Sequence, residues 1–337
     1  MPDGGEALSH DELEEAFGSD LGAGPSTSAT ATPSAPHEAP AQPPMGAERS
    51  AVEGVPSWSE FAHGWELGIY RDPVLCGVFA GVVLGVLGVF VVLRRAVFVT
   101  AAVSQAAGLG VALAFYLELT LHAHIPPVLA ALALALGATA VLTYRMQRMR
   151  LPSETLVGLI YLAASAGAIL VGDRIAQESH DIASILFGTA VLVRPMDLAL
   201  VVGAGTITLI VISAGYRGFL FAGFDPEGAS VHRLPVRLLD LSLWVLVALE
   251  VSVTTRAIGA LPVFAFAVAP AMAALALLER VRWALALAAA LGGLAGGLGY
   301  LFAFFYEFPV GASQATLSLL FLLICLPLAR VLRGSAA

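Results

Sequence analysis

The sequence predicts an all-α fold: a polytopic transmembrane helical bundle of about nine spans, preceded by a disordered acidic N-terminal tail. Three observations carry that prediction. Hydrophobic residues make up 58% of the chain and charged residues 12%, whereas soluble chains run near a quarter charged. Mean hydropathy is +0.85. Apolar segments of about 20 residues, the length a bilayer crossing requires, follow one another along most of the chain, and arginines gather at alternate ends of them.

Residues 1–56 form the predicted tail. Pro, Ala, Ser, Thr and acids dominate it, and such a composition buries too little apolar area to offset its ordering entropy. Ser9-His10-Asp11-Glu12 fits a helix-capping box. His10 and His37 are two isolated imidazoles, a weak basis for metal scavenging. The acids at the start of the chain stand where a cleavable signal needs positive charge, so the first span is expected to direct insertion. Residues 1–66 carry 12 acids against one arginine, and the remainder 13 acids against 16 arginines, so an acidic tail precedes a mildly basic body.

Residues 57–67 read as an interfacial helix. Ser57-Trp58-Ser59-Glu60 is a second capping box, and Trp58, Phe61 and Trp65 recur at helical spacing on one face. Aromatic side chains beside a span suit the headgroup layer. Residues 68–337 form the membrane domain, with spans predicted near 73–93, 96–117, 126–144, 153–172, 197–216, 238–255, 258–278, 283–305 and 312–329. The apolar stretch 182–193 is too short to cross and is expected to be re-entrant or interfacial. With nine spans, twelve arginines fall on one side and five on the other, and the positive-inside rule then puts the N-terminus outside and the C-terminus in the cytoplasm.

Within the spans, Gly77, Gly81, Gly85 and Gly88 share a face of the first, and Gly292, Gly293, Gly296, Gly297 and Gly299 form a second small-residue patch. Both predict close helix packing inside the subunit. Cys76 and Cys325 fall in the first and last spans and read as buried apolar thiols. All 17 basic residues are arginine. A phosphate-binding loop of the Gly-x-x-x-x-Gly-Lys-Ser/Thr type therefore cannot be written here. If ATP drives this chain, a separate subunit binds it. No hydrolytic triad, dinucleotide fingerprint or paired-carboxylate site is legible, so no catalytic activity is expected of the chain alone, and nucleic acid is not an expected partner.

Several segments, in order, resemble the permease subunits of zinc, manganese and iron ABC importers. Gly88-Val-Phe-Val-Val-Leu-Arg94-Arg95 resembles the end of that family's first span, Phe98 to Gly110 its second-span motif, Ser153-Glu-Thr-Leu-Val-Gly158 the start of its fourth, and Ile185-Leu-Phe-Gly188 its "LFG" turn. Phe224-Asp225-Pro226-Glu227-Gly-Ala229 resembles the cytoplasmic "FDPE-x-A" loop. Gly259-Ala-Leu-Pro-Val, Pro270-Ala-Met-Ala-Ala and Phe305-Tyr306-Glu307-Phe-Pro309-Val-Gly311 complete the match, which runs from about Trp65 to the C-terminus. The resemblance implies a homodimeric permease in the bacterial cytoplasmic membrane, a cytoplasmic ATP-binding subunit pair, an extracytoplasmic substrate-binding protein, and a transported divalent metal rather than a covalently bound cofactor. Loop 217–237 would be the element that couples to the ATPase, through Phe224, Asp225, Pro226, Glu227 and Ala229. The residues themselves agree: Asp225-Pro226-Glu227 reads as a helix start, with proline early and acids in the first turn. A solvated linker is the plain alternative.

The family carries Asp and His four residues apart in the second span. Here those positions hold Ala101 and Gln105, one without a ligand atom and one with a neutral carbonyl. Two explanations stay open: a divalent metal with ligands elsewhere, or a chelated or non-metal cargo. Glu250 is the strongest ionisable candidate at membrane depth, either functional or a structural group that is protonated or paired with an arginine such as Arg256. Ser104, Gln105, Ser252 and Thr254 are the candidate path residues. Glu118, His122 and His124, with Glu178, His180 and Asp181, are candidates for a cation vestibule, since imidazole and carboxylate together suit Zn²⁺ or Mn²⁺. Two competing functions remain: an ion-gradient-driven secondary transporter with Glu250 as proton relay, and a non-transporting membrane scaffold.

Overall fold

The computed structural model describes residues 57–145, 153–178 and 193–334. The predicted tail, its capping box at Ser9 and the stretch 182–193 lie outside the described residues, apart from Ser57 onward and Val193. Eleven helices occur among the described residues, with no strand between them. They are α1 (Trp58–Glu66), α2 (Arg71–Leu93), α3 (Val97–Leu121), α4 (Pro127–Arg145), α5 (Ser153–Glu178) and α6 (Pro195–Phe224), then α7 (Pro226–Val231), α8 (Val236–Ile258), α9 (Ala260–Leu277), α10 (Val281–Tyr306) and α11 (Val310–Gly334).

Each of the nine predicted spans coincides with one long helix. Seven of these are long and apolar enough to cross a membrane: α2, α3, α5, α6, α9, α10 and α11. The apolar part of α4, Pro127–Thr143, is shorter. α8 is interrupted along its length by Arg237, Asp240, Glu250 and Arg256.

α1 forms as its capping box dictates. Ser57 Oγ accepts from the Glu60 backbone N at 3.3 Å, and the Ser57 backbone N donates to Glu60 Oε2 at 2.7 Å. Its aromatic face turns onto the end of α10. Trp58 lies 4.5 Å from Phe305 and Phe61 lies 5.3 Å from Phe304, ring centre to ring centre, while Phe61 stacks on Tyr70 at 5.7 Å.

The two glycine patches pack on each other. A Cβ on Gly81 would strike the Gly292 carbonyl, and one on Gly292 would strike the Gly81 carbonyl; a Cβ on Gly296 would strike the Gly77 carbonyl, whereas one on Gly77 would meet the Gln314 amide first. Gly85 meets Ala288 and Gly88 meets Ala267 of α9 through their backbones. In lipid the apolar effect does not drive helices together, so backbone approach and dispersion carry the association. α2 is thereby the central helix, buried among α6, α9 and α10. The long helices α5, α6 and α11 present rows of exposed leucine and isoleucine, among them Leu162, Leu170, Ile207, Ile210 and Leu323, as suits lipid-facing or subunit-facing sides.

Cys76 and Cys325 are both buried free thiols. Gly259, at φ 91 and ψ 162, makes the turn between α8 and α9 in a conformation closed to L side chains.

The region predicted as loop 217–237 is organised differently. Its first part, to Phe224, is the continuation of α6, which runs for 30 residues. At about 1.5 Å per residue that is roughly 45 Å, against an apolar bilayer of about 30 Å. The helix therefore has length to carry its end well clear of the hydrocarbon. Only residues 225 and 232–235 separate α6, α7 and α8.

Candidate functional site

The polar residues of α3 sit where helical periodicity puts them, on one face. Thr100 Oγ1 donates to the Val97 carbonyl at 2.7 Å and Ser104 Oγ to the Ala101 carbonyl at 2.9 Å. Both hydroxyls thus satisfy themselves against their own helix. Ala101 and Gln105, one turn apart, border two different cavities. Gln105 lines one of about 270 Å³ together with Ser165, Thr255, Arg256, Gly259 and Pro309. Ala101 lines another of about 820 Å³ with Arg94, Arg95, Glu154, Tyr161 and Phe264.

Glu250 lines neither cavity. It is wholly buried in α8. Thr254 Oγ1 approaches its Oε1 at 3.4 Å, a long contact, and Oε2 is buried without a hydrogen-bond partner. Ser252 Oγ turns back to the Leu249 carbonyl at 2.8 Å. Of the three hydroxyls and one carboxyl on this stretch, Thr255 Oγ1 alone stands both at a cavity wall and without a partner among the described residues. The pairing of Glu250 with Arg256, one of the sequence alternatives, does not form. Arg256 Nη1 instead holds Asp197 Oδ1 at 2.8 Å. The six-residue separation of Glu250 and Arg256 explains this, because i and i+6 stand about 120° apart around a helix and about 9 Å apart along it.

At the far end of α3, Glu118 Oε1 and His124 Nδ1 approach to 3.0 Å, with His124 largely exposed. His122 is exposed beside them and caps α3 in the left-handed region at φ 52. The structure so joins two of the three vestibule candidates at this end of α3. Among the described residues, no three His, Cys, Asp or Glu side chains gather closely enough to hold a metal ion. His180 and Asp181 lie outside the described residues, as does the side chain of Glu178.

The residues expected to couple to an ATPase assemble into a short capped helix. Asp225 is the N-cap of α7, its Oδ1 accepting from the Gly228 backbone N at 2.8 Å, and Pro226 follows in the first turn. Proline suits that position because its missing N–H would have no helical partner there. Ala229 is fully buried and anchors the helix to the bundle, whereas Phe224, Glu227 and Val231 are exposed. Arg233, at φ 59, reverses the chain into α8.

Sequence reasoning missed two ion pairs. Arg256 with Asp197 is one. The other joins Arg94 Nη1 to Asp240 Oδ1 at 2.6 Å, with Arg94 nine-tenths buried. Burial works to lower the Arg94 pKa, and Asp240 opposes that by charge and hydrogen bond. A signal did exist for the first pair: Asp197 stands in the first turn of its helix and Arg256 in the last turn of its own, the ends each charge favours.

Residues 68–329 match the family model described as the ABC 3 transport family. The chain belongs to that family. It is similar to the manganese import system permease protein ScaB of Streptococcus gordonii, 29% identical over 255 residues that cover 75% of this chain and 89% of the relative. It is also similar to the manganese transport system membrane protein MntC of Listeria innocua, 27% identical over 250 residues, 74% of this chain and 86% of that protein. Among solved structures, PsaBC from Streptococcus pneumoniae in complex with Fab superposes with a TM-score of 0.69 at 26% identity, covering 79% of this chain and 94% of that one. As a member of the ABC 3 transport family, the chain is an integral membrane permease subunit of an ABC transporter.

Proposed function

We propose that this permease imports a divalent metal ion, manganese or zinc, using ATP hydrolysed by a separate cytoplasmic subunit that docks on α7. It works as a homodimer in the bacterial cytoplasmic membrane, with its C-terminus in the cytoplasm, and receives cargo from an extracytoplasmic binding protein. The observation that carries this reading is α7 itself. A turn capped by Asp225 and anchored by Ala229 stands at the end of an over-long α6 and exposes Phe224, Glu227 and Val231. Exposed apolar side chains on a held, charged element suit a protein partner. The manganese permeases among its relatives supply the cargo class.

One observation favours a second reading, in which the metal travels as a chelate. The cavity at Gln105 offers amide, hydroxyl and guanidinium groups and no carboxylate among its lining residues. A bare divalent cation prefers anionic oxygen or imidazole ligands, whereas Arg256 suits an acidic chelator.

Proteoliposomes holding the permease with its ATPase and binding protein test both. ATP-dependent uptake of free Mn²⁺ or Zn²⁺ supports the first reading. Uptake only in the presence of a hydroxycarboxylate chelator supports the second. Uptake without any ATPase, driven by an ion gradient, sinks both in favour of a secondary transporter.

A further inference from the structure

Arg94 sits where the coupling segment leaves and rejoins the bundle. It follows the last residue of α2. On one side its Nε lies 3.6 Å from the point a Cβ on Gly223 would occupy, one residue before the end of α6. On the other side Nη1 holds Asp240 at 2.6 Å, in the second turn of α8. α7 and its flanking turns lie between these two contacts in the chain. The same arginine lines the cavity that Ala101 borders. It therefore stands against both feet of the coupling segment and on the wall of the Ala101 cavity.

We infer that Arg94 is a positioning residue that transmits displacement of the coupling segment to the Ala101 cavity between the end of α2 and the start of α3. The inference rests on reading α7 as the ATPase-docking element. A guanidinium suits the task because its planar fork fixes direction as well as distance. Here the fork is half used: Nη2 is buried and has no acceptor among the described residues. An unfilled buried donor raises the energy of this conformation, so a conformation that brings an acceptor to Nη2 is favoured by that contact. Arg94 is thus placed to exchange partners as the coupling segment moves, which is what rigid-body coupling between elements requires.

The test uses the complete transporter, permease with ATPase and binding protein, in proteoliposomes. Arg94→Gln and Asp240→Asn are expected to retain ATPase co-purification and ATP hydrolysis. Their cargo uptake per ATP hydrolysed is expected to fall about tenfold, inside the usual span of coupling energies. Arg94→Lys, which keeps the charge and loses the fork, is expected to fall between. An unchanged uptake-to-hydrolysis ratio overturns the inference, as does a proportional fall of both. Should Arg94→Gln fail to accumulate in the membrane, Arg94→Lys decides on the same ratio. Failure of the underlying reading looks different: α7 substitutions would then leave ATPase capture intact, whatever Arg94 does.

Discussion

Arg256 Nη1 donates to Asp197 Oδ1 at 2.8 Å, tying the last turn of α8 to the first turn of α6. Both side chains are largely buried, at 18% and 13% exposed. Removing one partner strands the other charge, at a cost of about 3 kcal/mol. Asp197→Asn and Arg256→Gln are each expected to lower the thermal unfolding midpoint in detergent. The double substitution is expected to recover most of the loss, because neither charge is then left alone. Additive losses in the double variant would show that the pair does not act as a unit.

The reciprocal contact of Gly81 and Gly292 leaves no room for a methyl group on either. Gly81→Ala is expected to separate α2 from α10 and cost about 1–3 kcal/mol, as overpacking does. Gly137, in α4, has open space where its Cβ would stand. Gly137→Ala is expected to be neutral, or stabilising by up to about 1 kcal/mol through helix propensity. Thermal melts of the two variants, measured in one detergent, check the contrast.

The Asp225 cap holds a helix of only six residues. Asp225→Ala removes an N-cap worth about 1 kcal/mol, which corresponds to roughly fivefold weaker ATPase capture if α7 must be formed to dock. Asp225→Asn and Asp225→Ser keep an acceptor oxygen and are expected to bind nearly as the parent does. A binding assay between purified permease and ATPase distinguishes them. Equal capture by all three would remove α7 from the interface.

Ala101 and Gln105 share a helix face one turn apart, a spacing at which paired side chains meet. Ala101→Asp with Gln105→His supplies a carboxylate and an imidazole there, both suited to Zn²⁺ and Mn²⁺. The double variant is expected to bind Zn²⁺ at least about tenfold more tightly than the parent, by the usual reach of such ligand sets. Titration calorimetry on the purified permease reads this directly. No gain in affinity would mean that the two positions do not converge on one cargo.

Much of the architecture was legible from periodicity and composition. The nine apolar segments each became a helix, the Ser57 capping box closed as its spacing required, and the glycine faces packed within the subunit. Apolar length and small-residue spacing are local properties, and lipid leaves a backbone little choice but to satisfy its own hydrogen bonds as helix. The extent of α6 was not legible. Arg217 and the glycines after it read as loop, yet the helix continues to Phe224, because nothing between Pro195 and Pro226 removes a helical hydrogen bond.

The candidate site divides in the same way. The Asp225 cap was visible, since a cap and the turn it closes are neighbours in sequence. The pairing of charges was less so: Arg94 with Asp240 and Asp197 with Arg256 lie far apart in the chain, and helical period could separate Glu250 from Arg256 without naming Asp197 as the partner.

On its own the sequence determined that this chain lies in a bilayer as a helical bundle, that it lacks the lysine of a nucleotide loop, and where the Asp225-capped turn begins. Only the tertiary structure decided which glycine faces which, that Ala101 and Gln105 border separate cavities, and which acid each buried arginine holds. The physical reason is range. Hydrogen bonding and helical period act over a few residues, whereas ion pairs and cavities depend on how whole helices rotate against each other, and that is set by packing summed over every contact at once.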